Sequence, residues 1–162
     1  MSFVAPRLAV ALTTLLLTAC GFALQGRVPL PAGLAVTLIA TDDQQSDFVQ
    51  ELRRSLLASG ARLTTSAQQA TGEIRVEVDE LQERILSVSA RNIPREYELT
   101  YRVRLSVRRG GELVLATEEF LLSRDFSFDE RVLLAKEREK DALSEALARD
   151  LAGIVMRRLS VI

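Results

Sequence analysis

The longest regular pattern in the chain is a two-residue alternation within Glu96–Arg109 (EYELTYRVRLSVRR). From Tyr97 to Val107 every odd-numbered side chain is apolar, and the even-numbered ones between them are charged or carry a hydroxyl group. This period is typical of an antiparallel strand with one buried and one solvated face. At about 3.4 Å per residue the strand is more than about 40 Å long, so we expect it to bend or to carry a bulge.

Two further segments predict strands beside this one. Glu73–Asp79 (EIRVEVD) alternates in the same way, and its continuation is less regular. A turn sequence at 91–95 (RNIPR) leads from it into the long strand, and Gly110–Gly111 leads onward into Glu112–Ser123. The order of these segments predicts an antiparallel meander of three strands.

A strand and a helix precede the meander. Leu34–Ala40 (LAVTLIA) is short and apolar on both faces, which favours a central strand. Asp47 is a candidate N-cap, and Gly60 suits the position just after a helix end. The residues at 61–65 (ARLTT) could form a short edge piece. The expected buried stripe of the helix consists of Phe48, Val49, Leu52 and Leu56.

A second helix follows the meander. Ser127–Glu130 has the pattern of a capping box, and apolar residues at helical spacing continue to about Leu159. The element order is β-α-β-β-β-α, which predicts an α+β fold: a two-layer sandwich of a four-stranded, mainly antiparallel sheet with two helices on one face. The other sheet face is expected to stay wet and to carry Arg75, Glu77, Arg102, Arg104 and Arg108.

The N-terminal segment has the features of an export signal. Leu8–Ala19 is uncharged and mostly apolar, and Arg7 precedes it. Twelve residues are too few to cross a hydrocarbon core of about 30 Å as a helix, but they suit the apolar region of a secretory signal. A buried N-terminal helix is the alternative, and the lack of polar positions counts against it.

The residues after this segment indicate a lipoprotein. Leu17–Cys20 (LTAC) resembles the bacterial lipobox, whose cysteine is acylated and becomes the new N-terminus. We therefore predict a signal peptide at 1–19, a lipidated tether at 20–33 and a single domain at 34–162. Gly21 is not the aspartate that commonly retains lipoproteins at the inner membrane. The expected location is the cell outer membrane, with the domain on the periplasmic side and the lipid as its stable anchor.

Composition weakens the case for catalysis and for nucleic-acid binding. The net charge of −1 offers no bulk attraction to phosphate backbones. The chain has no histidine, and its only cysteine is assigned to the lipid. No nucleophile with an activating base, no phosphate loop and no metal-ligand pattern is visible, so we expect no catalytic site, no metal and no cofactor. Binding is the remaining class of function.

Basic residues mark the candidate binding region. Arg91 and Arg95 lie around one turn, and Arg124 and Lys136 flank the start of the last helix. The abundant anion of the outer membrane is lipopolysaccharide, whose phosphates suit arginine and lysine side chains. The alternative is that these residues balance nearby aspartate and glutamate.

The sequence resembles the LptE (RlpB) family of lipopolysaccharide-assembly lipoproteins over essentially the whole mature chain. The resemblance rests on the order and spacing of several short pieces. They are Cys20–Gly26 (CGFALQG), Arg95–Leu99 (REYEL), Ser123–Asp129 (SRDFSFD) and Leu134–Glu137 (LAKE).

This resemblance implies a function and a partner. LptE-like proteins plug the LptD β-barrel, support its assembly and bind lipopolysaccharide, which the complex delivers to the outer leaflet. The resemblance implies that Arg91 and Lys136 contribute to lipopolysaccharide binding. The main alternative is a periplasmic lipoprotein adapter that activates a cell-wall synthase or serves another transport complex, and an enzyme is a distant third.

Overall fold

The computed structural model describes residues 29–127 and 133–162, with side chains throughout except at 133–136. A 3₁₀ turn at Ala32–Leu34 precedes the first strand. The strands and helices, in chain order, are β1 (Val36–Ala40), α1 (Asp47–Ala58), β2 (Arg62–Thr64), β3 (Gly72–Val88), β4 (Pro94–Arg109), β5 (Glu112–Ser127) and α2 (Leu133–Leu159).

The sheet has five strands in the order β2-β1-β3-β4-β5. The predicted α+β class and the antiparallel meander β3-β4-β5 are confirmed. The predicted four strands are wrong by one, because Arg62–Thr64 pairs in parallel with β1 as an edge strand. β1 also runs parallel to β3, so the sheet is mixed. A three-residue strand shows no periodicity, and its parallel partner is reached only through the crossover helix α1.

The N-cap of the first helix lies one residue earlier than predicted. Ser46, and not Asp47, is the N-cap: its Oγ accepts a hydrogen bond from the Val49 amide at 3.1 Å. Serine and aspartate cap equally well, so the sequence alone did not separate them. Asp47 instead accepts a hydrogen bond from the Ser144 hydroxyl at 2.9 Å, which joins the start of α1 to α2. Gly60 follows the helix with φ of 90°, as predicted for a residue just past a helix end.

The core lies between the two helices and one face of the sheet. The predicted stripe of α1 and the odd-numbered face of β4 are buried, and α2 supplies the remaining apolar layer. The most buried large side chains of α1, β4 and α2 include Phe48, Leu52, Leu99, Leu105, Leu147 and Leu151. Among the described helices none is long and apolar enough to cross a membrane.

The meander extends well beyond the rest of the sheet. β1 pairs with β3 only from Gly72 to Arg75, whereas β3 continues to Val88 alongside β4. The expected irregularities in the long strands are present as register shifts in both ladders, for example between Val76 and Val78. We call the extension, at 80–88, 94–102 and 121–127, the arm, and the remainder of the sheet with its helices the body.

The last helix runs from the arm to the body. Lys140 forms an ion pair with Glu83 of the arm at 2.5 Å, and Arg158 forms one with Glu118 at 2.9 Å. The hydrogen bond from Lys140 to Glu83 raises the pKa of the lysine. The capping box predicted for this helix falls largely on residues 128–132, outside the described residues.

Candidate functional site

The arm ends in a hydrogen-bonded turn between β3 and β4. The Ser89 amide donates to the Ile93 carbonyl at 2.7 Å, and the Asn92 amide donates back to the Ser89 carbonyl at 2.9 Å. Asn92 has φ of 60°, a conformation that asparagine tolerates better than most residues. These contacts fix the loop so that Arg91, at its apex, is exposed to solvent. We call residues 85–95 the tip.

The tip carries two cations without local counter-ions. Arg91 and Arg95 are exposed, and neither forms an ion pair with a described residue. The two acids nearest along β4 form no ion pair with either arginine. Glu96 accepts a hydrogen bond from the Ser87 hydroxyl at 2.7 Å, and Glu98 pairs with Arg84 at 2.8 Å. The positive charge of the tip is therefore available to an external anion.

Large apolar side chains are exposed beside these cations. Ile85, Leu86 and Val88 expose 52%, 41% and 52% of their surface. Ile85 lies on the helix-covered face opposite Tyr97, whereas Leu86 lies at a break in the strand register. The sequence contained a signal for this surface, because β3 stops alternating after Asp79 and places apolar residues at both odd and even positions. The tip thus combines apolar surface with cations, a combination suited to an anionic amphiphile.

The structure brings the predicted basic residues together only in part. Arg91 and Arg95 share the tip. Arg124 lies in β5 opposite Leu99 and pairs with Asp150 at 2.6 Å, so it holds the arm against α2. Lys136 belongs to α2 one turn before the arm contact of that helix, and its side chain is outside the described residues, as is the whole of Cys20.

The uncovered sheet face is a ladder of paired charges. Arg102 contacts Glu80 at 2.6 Å, and Arg104 contacts Glu77 at 3.6 Å. The hydrogen bond from Arg102 lowers the pKa of Glu80, so this carboxylate stays charged in moderately acidic solution. The five residues predicted for the wet face are all exposed or half-buried. The face is polar, and most of its charges form ion pairs, unlike the arginines of the tip.

A buried polar cluster joins the body to the base of the arm. Asp79 accepts hydrogen bonds from the Tyr101 hydroxyl at 2.8 Å and from the Ser46 hydroxyl. The Tyr101 oxygen in turn accepts from the Phe48 amide at 3.3 Å. Burial raises the pKa of Asp79, although its two hydrogen bonds act in the opposite direction. Burial, together with the nearby Asp79 carboxylate, also raises the pKa of Tyr101.

This cluster positions the first helix, and its two hydroxyl groups both donate to Asp79. Its acceptor is a single carboxylate, and its donors are satisfied within the fold. In the part of the chain that the structure describes, no three acidic, cysteine or histidine residues are grouped as metal ligands. The exposed tip, which joins cations to apolar side chains, is the candidate site.

Comparison with known proteins identifies the family. The family model described as LptE, lipopolysaccharide-assembly, matches residues 34–159, which include every strand and helix described above. The chain belongs to the LptE family. Its members act in lipopolysaccharide assembly, which agrees with the family that the sequence resembled. No curated protein matches the chain.

Solved structures of lipoproteins share the LptE-family fold of this chain. Lipoprotein B from Nitrosomonas europaea is 25% identical, with a TM-score of 0.71 over 87% of this chain and 91% of that one. Rare lipoprotein B from Shewanella oneidensis is 22% identical, with a TM-score of 0.67 over 78% and 94%. A minor lipoprotein from Acinetobacter baumannii is 18% identical, with a TM-score of 0.66 over 82% and 94%. These relatives and the family model support an envelope lipoprotein of lipopolysaccharide assembly.

Proposed function

We propose that the protein is an outer-membrane lipoprotein that binds lipopolysaccharide at the tip and works inside an LptD-like β-barrel. The lipid on Cys20 anchors it on the periplasmic side, and the complex delivers lipopolysaccharide to the outer leaflet. The role is non-enzymatic. The observation that carries the proposal is the pairing of unneutralised cations with exposed apolar side chains at the tip.

Lipopolysaccharide has the two chemical features that the tip can recognise. Its phosphates match the guanidinium groups of Arg91 and Arg95, since arginine binds phosphate oxygens through paired hydrogen bonds. Its acyl chains match Ile85, Leu86 and Val88, and burying them from water contributes about 0.8 kcal/mol per CH₂ group. Lys136 lies in α2 one turn before Lys140, which contacts Glu83 of the arm, and it is a further candidate for binding the phosphates.

The polar sheet face supports the barrel partnership. The lumen of an outer-membrane barrel is polar and water-lined, so a domain placed there needs a polar surface. The cross-strand pairs of Arg102 with Glu80 and Arg104 with Glu77 contribute paired charges to such a surface. A broad apolar patch there would favour association with a different kind of partner.

Charge reversal at the tip tests the ligand. Arg91→Asp with Arg95→Asp should weaken lipopolysaccharide binding at least about tenfold at fixed salt, because phosphate contacts become repulsive. Adding Lys136→Asp should weaken it further. The matched control is Arg62→Asp with Arg157→Asp, since both arginines are exposed and unpaired among the described residues, yet lie away from the tip. Equal losses of affinity in the two double variants would mean that net charge alone causes the effect, and would contradict binding at the tip.

Purification from outer membranes in mild detergent tests the anchor and the partner. Recovery of a large β-barrel protein with the lipoprotein is the expected result, and Cys20→Ala should abolish its acylation and its outer-membrane location. Recovery of a peptidoglycan synthase instead would favour the adapter alternative and contradict the barrel partnership.

A further inference from the structure

A pocket of about 560 Å³ lies where the parallel strands β1 and β2 finish, at the edge of the body from which the arm extends. β2 ends at Thr64, opposite Leu38, so β1 continues to Ala40 with no neighbouring strand on that side. The pocket fills the space between the end of β1, the end of β2 and the helix α1. Ligands of sheets with parallel strands commonly bind outside the carboxyl ends of those strands.

This pocket is separate from the tip. Ala40 pairs with Arg75 of β3, and the tip turn begins at Ser89. The tip starts at Ile85, ten residues after Arg75, so at about 3.3 Å per residue the pocket and the tip lie about 30 Å apart. One headgroup cannot contact both, so a ligand of this pocket is a different molecule or a different part of one.

The pocket walls are apolar on one side and polar at the rim. Leu38, Ile39, Ala40 and Leu63 supply the apolar surface. Thr64 and the side chain of Gln44 supply polar groups at the rim. The volume falls within the range of about 300–1,000 Å³ that is usual for small-molecule sites.

Arg53 is the charged residue of this lining. It is half-buried and forms no ion pair with a described residue. One of its terminal nitrogens donates to Gln44 Oε1, while its buried Nε has no hydrogen-bond acceptor in the described part of the chain. The next residue, Arg54, is by contrast exposed and paired with Glu51 at 2.9 Å. Burying part of a cation without a counter-ion is unfavourable, so the pocket is complementary to an anion.

We propose that this pocket binds a single-chain anionic amphiphile, with a carboxylate or phosphate headgroup on Arg53 and its apolar tail on the β1–β2 wall. Charge complementarity selects the headgroup, since among the described residues of the lining Arg53 is the one cation and there is no acid. The apolar wall selects a tail in preference to a polar ion. Gln44 holds the guanidinium toward the pocket and keeps it from turning to solvent.

Octanoate and octyl phosphate are suitable probes, with octanol as the uncharged control. The full-length lipoprotein is placed in zwitterionic nanodiscs, and methyl NMR signals of Ile39 and Leu63 report on the pocket while Ile85 reports on the tip. Both anions should shift the pocket methyls without shifting Ile85, and octanol should bind at least about tenfold more weakly. The two anionic probes distinguish the carboxylate from the phosphate by their affinities.

Variants on one helix separate the role of Arg53 from a general charge effect. Arg53→Gln should weaken binding of the better anion at least about tenfold and leave octanol unchanged, whereas Arg54→Gln should change neither. Leu63→Trp, which fills the pocket, should abolish binding of all three and keeps the test valid if Arg53→Gln unfolds. The proposal is overturned if the pocket methyls do not shift, if octanol binds as well as octanoate, or if Arg53→Gln behaves like Arg54→Gln. A tip that fails to bind lipopolysaccharide would leave these results unaffected.

Discussion

The body and the arm are built from the same strands and use them in opposite ways. In the body, the odd-numbered face of β4 is fully covered by the two helices, as at Leu105. In the arm, β3 has no strand beyond it, and its side chains at Ile85, Leu86 and Val88 are half-exposed. Charges differ in part in the same sense, because the wet face of the body carries cross-strand pairs such as Arg104 with Glu77, whereas the tip arginines form no ion pair with a described residue. The body therefore stabilises the fold, and the tip remains available for binding.

The largest expected effect is on the free energy of unfolding, when a leucine of the body and a leucine of the arm are each replaced by alanine. Leu105→Ala should lower the free energy of unfolding by about 2–5 kcal/mol, because Leu105 is completely buried. Leu86→Ala should change it by less than about 0.5 kcal/mol, because Leu86 is 41% exposed. Urea unfolding measures both. The affinity for lipopolysaccharide should fall more in Leu86→Ala than in Leu105→Ala. A Leu86→Ala protein that is folded but strongly destabilised would contradict the distinction between arm and body.

The junction between body and arm gives the next effect. Tyr101→Phe removes the hydroxyl that donates to Asp79 and accepts from the Phe48 amide. We expect a loss of about 1–3 kcal/mol in the free energy of unfolding, because a buried carboxylate loses a donor. Hydrogen exchange should show the loss at the start of α1. An unchanged exchange rate there would mean that the cluster does not hold that helix.

Asp79→Asn should alter the pH dependence of stability. Burial raises the pKa of folded Asp79 above its ordinary value, so the folded state binds this proton more tightly than the unfolded state. The stabilisation that protonation gives is complete below the ordinary pKa and is lost as pH rises through the raised one. Asparagine does not titrate, so the variant should gain stability relative to the parent as pH rises from the ordinary aspartate pKa of about 3.9 through the raised one. Urea unfolding at several pH values measures the difference, and a difference independent of pH would contradict the assigned shift.

The smallest expected effect distinguishes two arginines that both entered the basic candidate set. Arg124→Gln should lower the free energy of unfolding by no more than about 1 kcal/mol, because its pair with Asp150 is half-exposed. Arg91→Gln should leave stability unchanged and reduce lipopolysaccharide affinity more than Arg124→Gln does. If Arg124→Gln had the greater effect on affinity, the binding surface would extend along β5 away from the tip.

The body follows from local sequence patterns far more completely than the tip or the pocket does. The alternation around Tyr101 and the stripe on α1 predicted the strand, the helix and their buried faces. The fifth strand was named only as a possible edge piece at 61–65 and was left out of the predicted sheet, because three residues carry no period. The partner of Arg124 is 26 residues away, and such long-range pairing is invisible in a single sequence. The unpaired state of Arg53 is likewise a property of packing, since its neighbour Arg54 has the same chemistry and is neutralised.

Site-specific photo-crosslinking in living cells is the most direct test of whether lipopolysaccharide binds at the tip. Val88 at the tip and Leu113 near the opposite, β4–β5 turn are each 52% exposed, so they form a matched pair of positions for a photoreactive residue. We predict that lipopolysaccharide is crosslinked at position 88 and not at position 113. Equal crosslinking at both positions, or crosslinking at 113 alone, would contradict the assignment of lipopolysaccharide to the tip.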